Sequence, residues 1–179
     1  MTSFDWIRIL LFLVISAAIV RFSWRSLRDF RSYRFYRFFA FEILVVMVLL
    51  NLPSWFKSPF SLPQVISWVL LLGSAALAIH GFFLLRKMGR PSGPIEATTK
   101  LIRTGAYHYI RHPLYASLLY FGWGVFFKSP SWQNAVLIGL ASMALFMTSR
   151  CEERENIERF GAEYKDMMES TRRFVPFIF

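Results

Sequence analysis

Apolar residues in this chain fall in long blocks, not in the short alternating runs of a sheet protein. A bilayer core about 30 Å thick takes about 20 mostly apolar residues per helix. Five blocks approach that length: residues 5–22, 38–52, 62–85, 113–127 and 132–149. The third is the longest and cleanest. The second is ended by Pro53, and the fourth opens on Pro113, which suits a first helical turn because its missing N–H has no partner there anyway. Arg8, inside the first block, is placed to snorkel outward. Lys128-Ser129-Pro130-Ser131 reads as a tight hairpin, and Pro91, Gly93 and Pro94 mark a turn between the third and fourth blocks. After Arg150 the sequence turns polar. Residues 152–168 read as one more helix, with Ile157, Phe160, Tyr164 and Met168 at three- and four-residue spacing, lying at the membrane surface. The apolar residues 174–179 are expected to pack back on the protein or enter the interface. The pattern therefore predicts an all-α polytopic membrane protein, with about five transmembrane helices and a C-terminal cytoplasmic surface helix, forming one domain over residues 1–179.

Composition agrees. The chain is 55% hydrophobic, above the roughly 45–50% of a soluble domain, and its many aromatic residues suit interfacial belts. The first block is flanked by charge on both sides and lacks a small-residue cleavage site, so it reads as a retained helix. The net charge of +10 could indicate nucleic acid, but the basic residues sit between apolar blocks, which points to membrane orientation instead. Six lie among residues 21–37, six among 86–111 and six among 150–173, 18 of the 21 in all. With five spans these segments share one face, and the positive-inside rule puts the N-terminus outside and the C-terminus in the cytoplasm. Four or six spans would break that segregation. The single cysteine, Cys151, excludes an internal disulfide and a cysteine-based zinc cluster; it reads as a packing residue.

Polar groups inside spans are expensive to bury and often functional. Glu42 and His80 are of this kind, although Glu42 could simply pair with a nearby arginine and His80 could be an interfacial packing residue. A stronger signal is a pair of polar clusters: residues 105–115, with Tyr107, Tyr109, Arg111, His112 and Tyr115, and Glu152-Glu153 followed by Phe160, Gly161 and Tyr164. From His112 to the hairpin is about 27 Å of helix at ~1.5 Å per residue, and the return to Glu152 is similar. An antiparallel pair would thus bring the acidic doublet back to the depth of Arg111 and His112. Each part has a plainer explanation: arginine is commonplace at a cytoplasmic helix end, glutamates complement a helix dipole, and tyrosines populate belts. Spacing alone does not name a reaction.

Residues 99–117, TKLIRTGAYHYIRHPLYAS, together with Glu152-Glu153, Phe160-Gly161 and Tyr164, resemble the linked motifs of the isoprenylcysteine carboxyl methyltransferase family and its phospholipid-methyltransferase relatives. Pro176-Phe177-Ile178 is similar to that family's tail. The resemblance covers residues 99–178, the cofactor-binding half, and leaves 1–90 as N-terminal spans. Thr99, Ser117 and Met167 depart from the pattern at positions where the family has histidine, glycine and tyrosine. The resemblance implies an S-adenosylmethionine-dependent membrane methyltransferase with a lipophilic small-molecule or lipidated acceptor, most simply the carboxylate of an isoprenylcysteine or similar amphiphile. It implies Arg111, His112 and Glu153 as catalytic residues, and Gly105, Tyr107, His112, Pro113, Tyr115, Glu152 and Glu153 as the cofactor-binding set, on the cytoplasmic face and without metal. A phospholipid amine or a small thiol is the alternative acceptor, for which His112 is the nearest general base. A related C-terminal architecture serves NADPH-dependent sterol reductases, but this short chain shows no added nucleotide-binding segment. A non-enzymatic lipid-binding membrane protein is the remaining reading, with membrane lipids as partners and no nucleic acid. The oligomeric state is left open.

Overall fold

The computed structural model describes residues 3–24, 26–57, 60–89 and 98–178; the turn expected at Pro91, Gly93 and Pro94 lies outside them. The described residues form six α-helices: α1 Ser3–Ser23, α2 Tyr33–Asn51, α3 Leu62–Met88, α4 Pro113–Phe126, α5 Trp132–Phe160 and α6 Ala162–Ser170. Three short 3₁₀ turns interrupt the connections. The all-α class is thus as the apolar blocks predict. Four helices, α1, α2, α3 and α5, are long and apolar enough to cross a membrane. The fourth block forms a helix of only 14 residues, about 21 Å long at ~1.5 Å per residue, because Pro113 opens it and the Lys128 turn closes it.

Two helices extend beyond the apolar blocks. α2 begins at Tyr33, where the Ser32 side chain accepts from the Arg34 amide and caps the first turn. Its early arginines are accommodated because Arg34 and Arg37 both lie over the Tyr33 ring. α5 does not stop at the membrane-surface boundary expected near residue 149. It runs on through Glu152 and Glu153 to Phe160, since nothing in Ser149-Arg150-Cys151 breaks a helix. The break comes at Gly161, whose φ of +58° and ψ of −128° suit only glycine. Residues 152–168 are therefore the end of α5 plus most of α6, not one separate surface helix.

The chain forms two compact units. The first comprises Met1–Leu70 and Gly122–Cys151. Here α1 exposes Leu10, Leu13 and Val14 as a lipid-facing helix does. Arg8 donates to the Leu49 carbonyl at 3.5 Å, one of the last-turn carbonyls that α2 leaves open at its negative end. Polar pairs tie the apolar helices together. Asn51 and Asn134, both buried, exchange amide hydrogen bonds of 3.2 and 3.0 Å. Lys128 is buried too; it donates to Gln64 Oε1 at 3.0 Å and lies 3.6 Å from the centre of the Trp68 ring. Burial pulls its ammonium below the usual lysine range. Gly122 is required for close approach: a Cβ would meet Ile138 Cδ1 at 2.7 Å and Leu44 Cδ2 at 2.8 Å. Glu42 Oε1 is buried and has no hydrogen-bond partner among the described residues.

The second unit comprises Leu71–Phe121 and Glu152–Phe179. Its core is Leu84 and Leu85 from α3, Ile102 and Tyr107 from the following loop, and Tyr164 and Met167 from α6. The C-terminal segment folds back: Phe174 is buried, while Phe177 and Ile178 stay exposed.

The Asn51–Asn134 pair is testable. Asn51→Ala strands the partner amide and is expected to cost about 1–2 kcal/mol. Asn51→Leu with Asn134→Leu should cost less than the two single leucine changes added together. Reversible unfolding in detergent or bicelles reads this cycle, and strictly additive costs would show that the amides do not act as a pair.

Candidate functional site

The site lies in the second unit and starts from a glycine. After α3 the chain returns through residues 98–104 and turns at Gly105, which has a φ of +60°. A Cβ there would sit 2.6 Å from His80 Nε2 and 2.8 Å from Leu84 Cδ1, so both conformation and space demand glycine. The 3₁₀ turn Gly105–His108 then points Tyr107 inward. Residues 109–112 run beside the C-terminal segment. Arg172 donates its backbone N–H to Tyr109 O at 3.0 Å, Arg111 to Arg172 O at 2.7 Å, and His112 to Arg173 O at 3.2 Å. Pro113 opens α4 immediately afterwards, at the position where proline does least harm.

Glu153 is the electrostatic centre. It is buried, and its Oε1 accepts from Arg111 Nε at 2.9 Å and Arg173 Nε at 3.2 Å, while Oε2 accepts from the Arg173 terminal nitrogen at 2.6 Å. His112 Nε2 lies 3.4 Å from Oε1, within ion-pair range but outside hydrogen-bond geometry. Nη1 of Arg111 donates to the Thr171 carbonyl at 2.6 Å and the Met168 carbonyl at 3.2 Å. Arg111 and Glu153 thus weld α5, the loop and the C-terminal segment together.

Glu152, its neighbour, faces a cavity of about 60 Å³. Tyr115 donates its hydroxyl to Glu152 Oε2, and the Tyr115 ring stacks on His112 with centroids 5.5 Å apart. The rest of the wall combines Tyr107, Arg111, His112, Asn156 and Tyr164 with apolar Leu85, Ile102, Leu114, Phe160 and Met167, and with Thr98 and Lys100 at one side. Burial pushes the Tyr164 phenol above its ordinary range, against smaller pulls from Asn156 and Arg111. It therefore stays protonated and a donor at neutral pH.

Of the residues singled out from sequence, Tyr107, Arg111, His112, Tyr115 and Glu152 line this cavity. Glu153 stands behind the wall, and Gly105 and Pro113 shape the backbone that carries it. Three contributors escaped the sequence reading. Asn156 follows Glu152 by four residues on α5, so helical periodicity could have found it. Arg173 and Lys100 carried no local signal. Among the motif departures, Met167 lines the cavity with its thioether side chain. Ser117 keeps its hydroxyl on the Leu114 carbonyl at 2.7 Å.

Glu153→Gln removes the charge that balances two largely buried guanidinium groups. It should cost about 3 kcal/mol of stability, with Arg173→Gln costing less because Arg111 keeps its partner. Thermal unfolding of the purified protein in detergent checks both, and an unchanged midpoint for Glu153→Gln would contradict the welding role.

Residues 63–163, just over half of the chain, match the protein family described as phospholipid methyltransferase. No curated protein and no solved structure matches the chain. That match contains α3, the glycine-led loop, α4 and the acidic doublet, and a fold made of apolar membrane-length helices is what such an enzyme requires. The chain therefore belongs to the phospholipid methyltransferase family, as an integral membrane enzyme that uses S-adenosylmethionine to methylate a lipid acceptor.

Proposed function

We propose that the acceptor is a carboxylate on a lipid-modified cysteine or a similar amphiphile, and that the cavity beside Glu152 receives the methyl donor. The observation that carries the carboxylate reading is where the two candidate bases face. Glu152 accepts from Tyr115, and His112 holds a buried Nε2 3.4 Å from the Glu153 carboxylate. An ionised carboxylate acceptor gives up no proton and needs neither of them as a base. A phospholipid amine is the second reading; the family's description favours it, as does the Glu152 carboxylate on the wall, which suits a cationic headgroup.

The wall's chemistry fits S-adenosylmethionine. Glu152 offers acceptors for ribose hydroxyls or an ammonium; Asn156 and Tyr164 offer further polar contacts; Lys100 and His112 offer cationic or donor groups to a carboxylate. Leu85, Ile102 and Phe160 supply apolar surface for an aromatic base. The resting space of about 60 Å³ is far below the ~300–1,000 Å³ of ordinary small-molecule sites, so binding widens the cavity by moving side chains of the wall. Bound there, the sulfonium donor supplies an electrophilic methyl group for in-line displacement by an acceptor oxygen. The chain's own part is to position and to keep water out. Tyr115 holds Glu152 in one rotamer; Glu153 holds Arg111 and, through its field, His112. Arg111 and Glu153 then act as positioning residues, while Glu152, His112 and Tyr115 touch the reactants. The segregation of basic residues supports α4 as a short fifth span, with the N-terminus outside and the site on the cytoplasmic side.

Titration calorimetry on the wild-type protein in detergent should register S-adenosylmethionine binding. Glu152→Gln should weaken it at least tenfold, about 1.4 kcal/mol. A folded wild type that binds none would end the donor-site reading. For the acceptor, methyl transfer to a prenylcysteine carboxylate should be nearly flat from about pH 6.5 to 8.5, since the nucleophile is ionised throughout. Transfer only to an aminophospholipid, rising with pH as the free amine appears, would replace the carboxylate reading with the second one.

A further inference from the structure

His80 belongs to none of the motifs above, yet it touches the one residue of the loop that only glycine can supply. It sits on α3, eight residues before the helix ends at Met88, and its Nε2 accepts from the Ala106 backbone N–H at 3.3 Å. The same atom is the closest neighbour of the Gly105 position, which packs directly onto the ring. In this contact Nε2 serves as the acceptor and the backbone N–H as the donor.

Two consequences converge on the donor cavity. The contact fixes the first turn of Gly105–His108, and Tyr107, one residue beyond Ala106, is part of the cavity wall. Leu84, one helical turn after His80, packs with Leu85, Ile102 and Tyr107 in the core beside that wall.

We propose that His80 is a positioning residue for methyl-donor binding, acting through Ala106 and Gly105 to hold Tyr107 in the cavity wall. The inference rests on the donor-site reading given above. It assigns His80 no contact with substrate. What it needs from the side chain is an acceptor at the height of Nε2, a requirement that glutamine can meet through Oε1 and leucine cannot.

The test compares His80→Leu and His80→Gln with the wild type in the full-length detergent-solubilised protein. Calorimetry with S-adenosylmethionine should show His80→Leu at least tenfold weaker and His80→Gln within about threefold of the wild type, a tenfold change being about 1.4 kcal/mol. Thermal midpoints of the two variants should agree within a few degrees. Hydrogen exchange should rise at residues 105–110 in His80→Leu, with α4 and α6 unchanged. If the wild type binds donor and His80→Leu binds equally well, the inference is overturned. Equal weakening in both variants would also overturn it, because the acceptor would then not be what matters. Absence of donor binding by the wild type would instead strike the donor-site reading.

Discussion

A carboxylate buried between two guanidinium groups organises the second unit of this protein. Glu153 accepts from Arg111 and Arg173 and stands 3.4 Å from His112. Burying three ionised groups together is costly unless further hydrogen bonds help to satisfy them, and Arg111 also reaches the Met168 carbonyl of α6 and the Thr171 carbonyl just after it. The cluster therefore joins three stretches that are distant in sequence, the end of α5, the loop before α4 and residues 171–173. It explains why the two glutamates of the doublet behave differently. On a helix, adjacent side chains point about 100° apart, so Glu153 faces the arginines while Glu152 faces the cavity.

The same economy of polar groups appears in the first unit. Asn51 pairs with Asn134, and Gln64 with Lys128, in each case inside apolar surroundings and with the amide groups used more than once. Lipid offers helices little hydrophobic reason to associate, since the tails are as apolar as the side chains, so packing and interhelical hydrogen bonds carry more of the load. Glu42 Oε1, Trp55 Nε1 and Ser142 Oγ are the exceptions there, buried atoms with no hydrogen-bond partner among the described residues.

Under the proposed donor-site reading the arrangement separates two duties. Glu153 and Arg173 pair behind the cavity wall, Arg111 belongs to both the ion cluster and the wall, and Glu152, Tyr115, His112, Asn156 and Tyr164 face the cavity. Methyl transfer from a sulfonium asks for alignment and dryness more than for proton relays. A small cavity with polar and apolar walls beside a buried ion cluster suits that reading.

Much of this was legible in the chain. Apolar block lengths determined the all-α membrane class, Pro113 the start of α4, and helical spacing the return of an acidic doublet toward Arg111 and His112, because periodicity and proline geometry are local properties. The extents of α2 and α5 were not legible: a cation over Tyr33 and the absence of any breaker before Gly161 extend helices past the point where hydropathy falls. Nor could the sequence assign roles within the Glu152-Glu153 pair, enlist Arg173, or connect His80 with Gly105. Those depend on which side chains meet after the loop and the C-terminal segment close on each other, and a partner tens of residues away leaves no periodic trace. Only tertiary packing decides which glutamate joins the buried ion cluster and which faces the cavity.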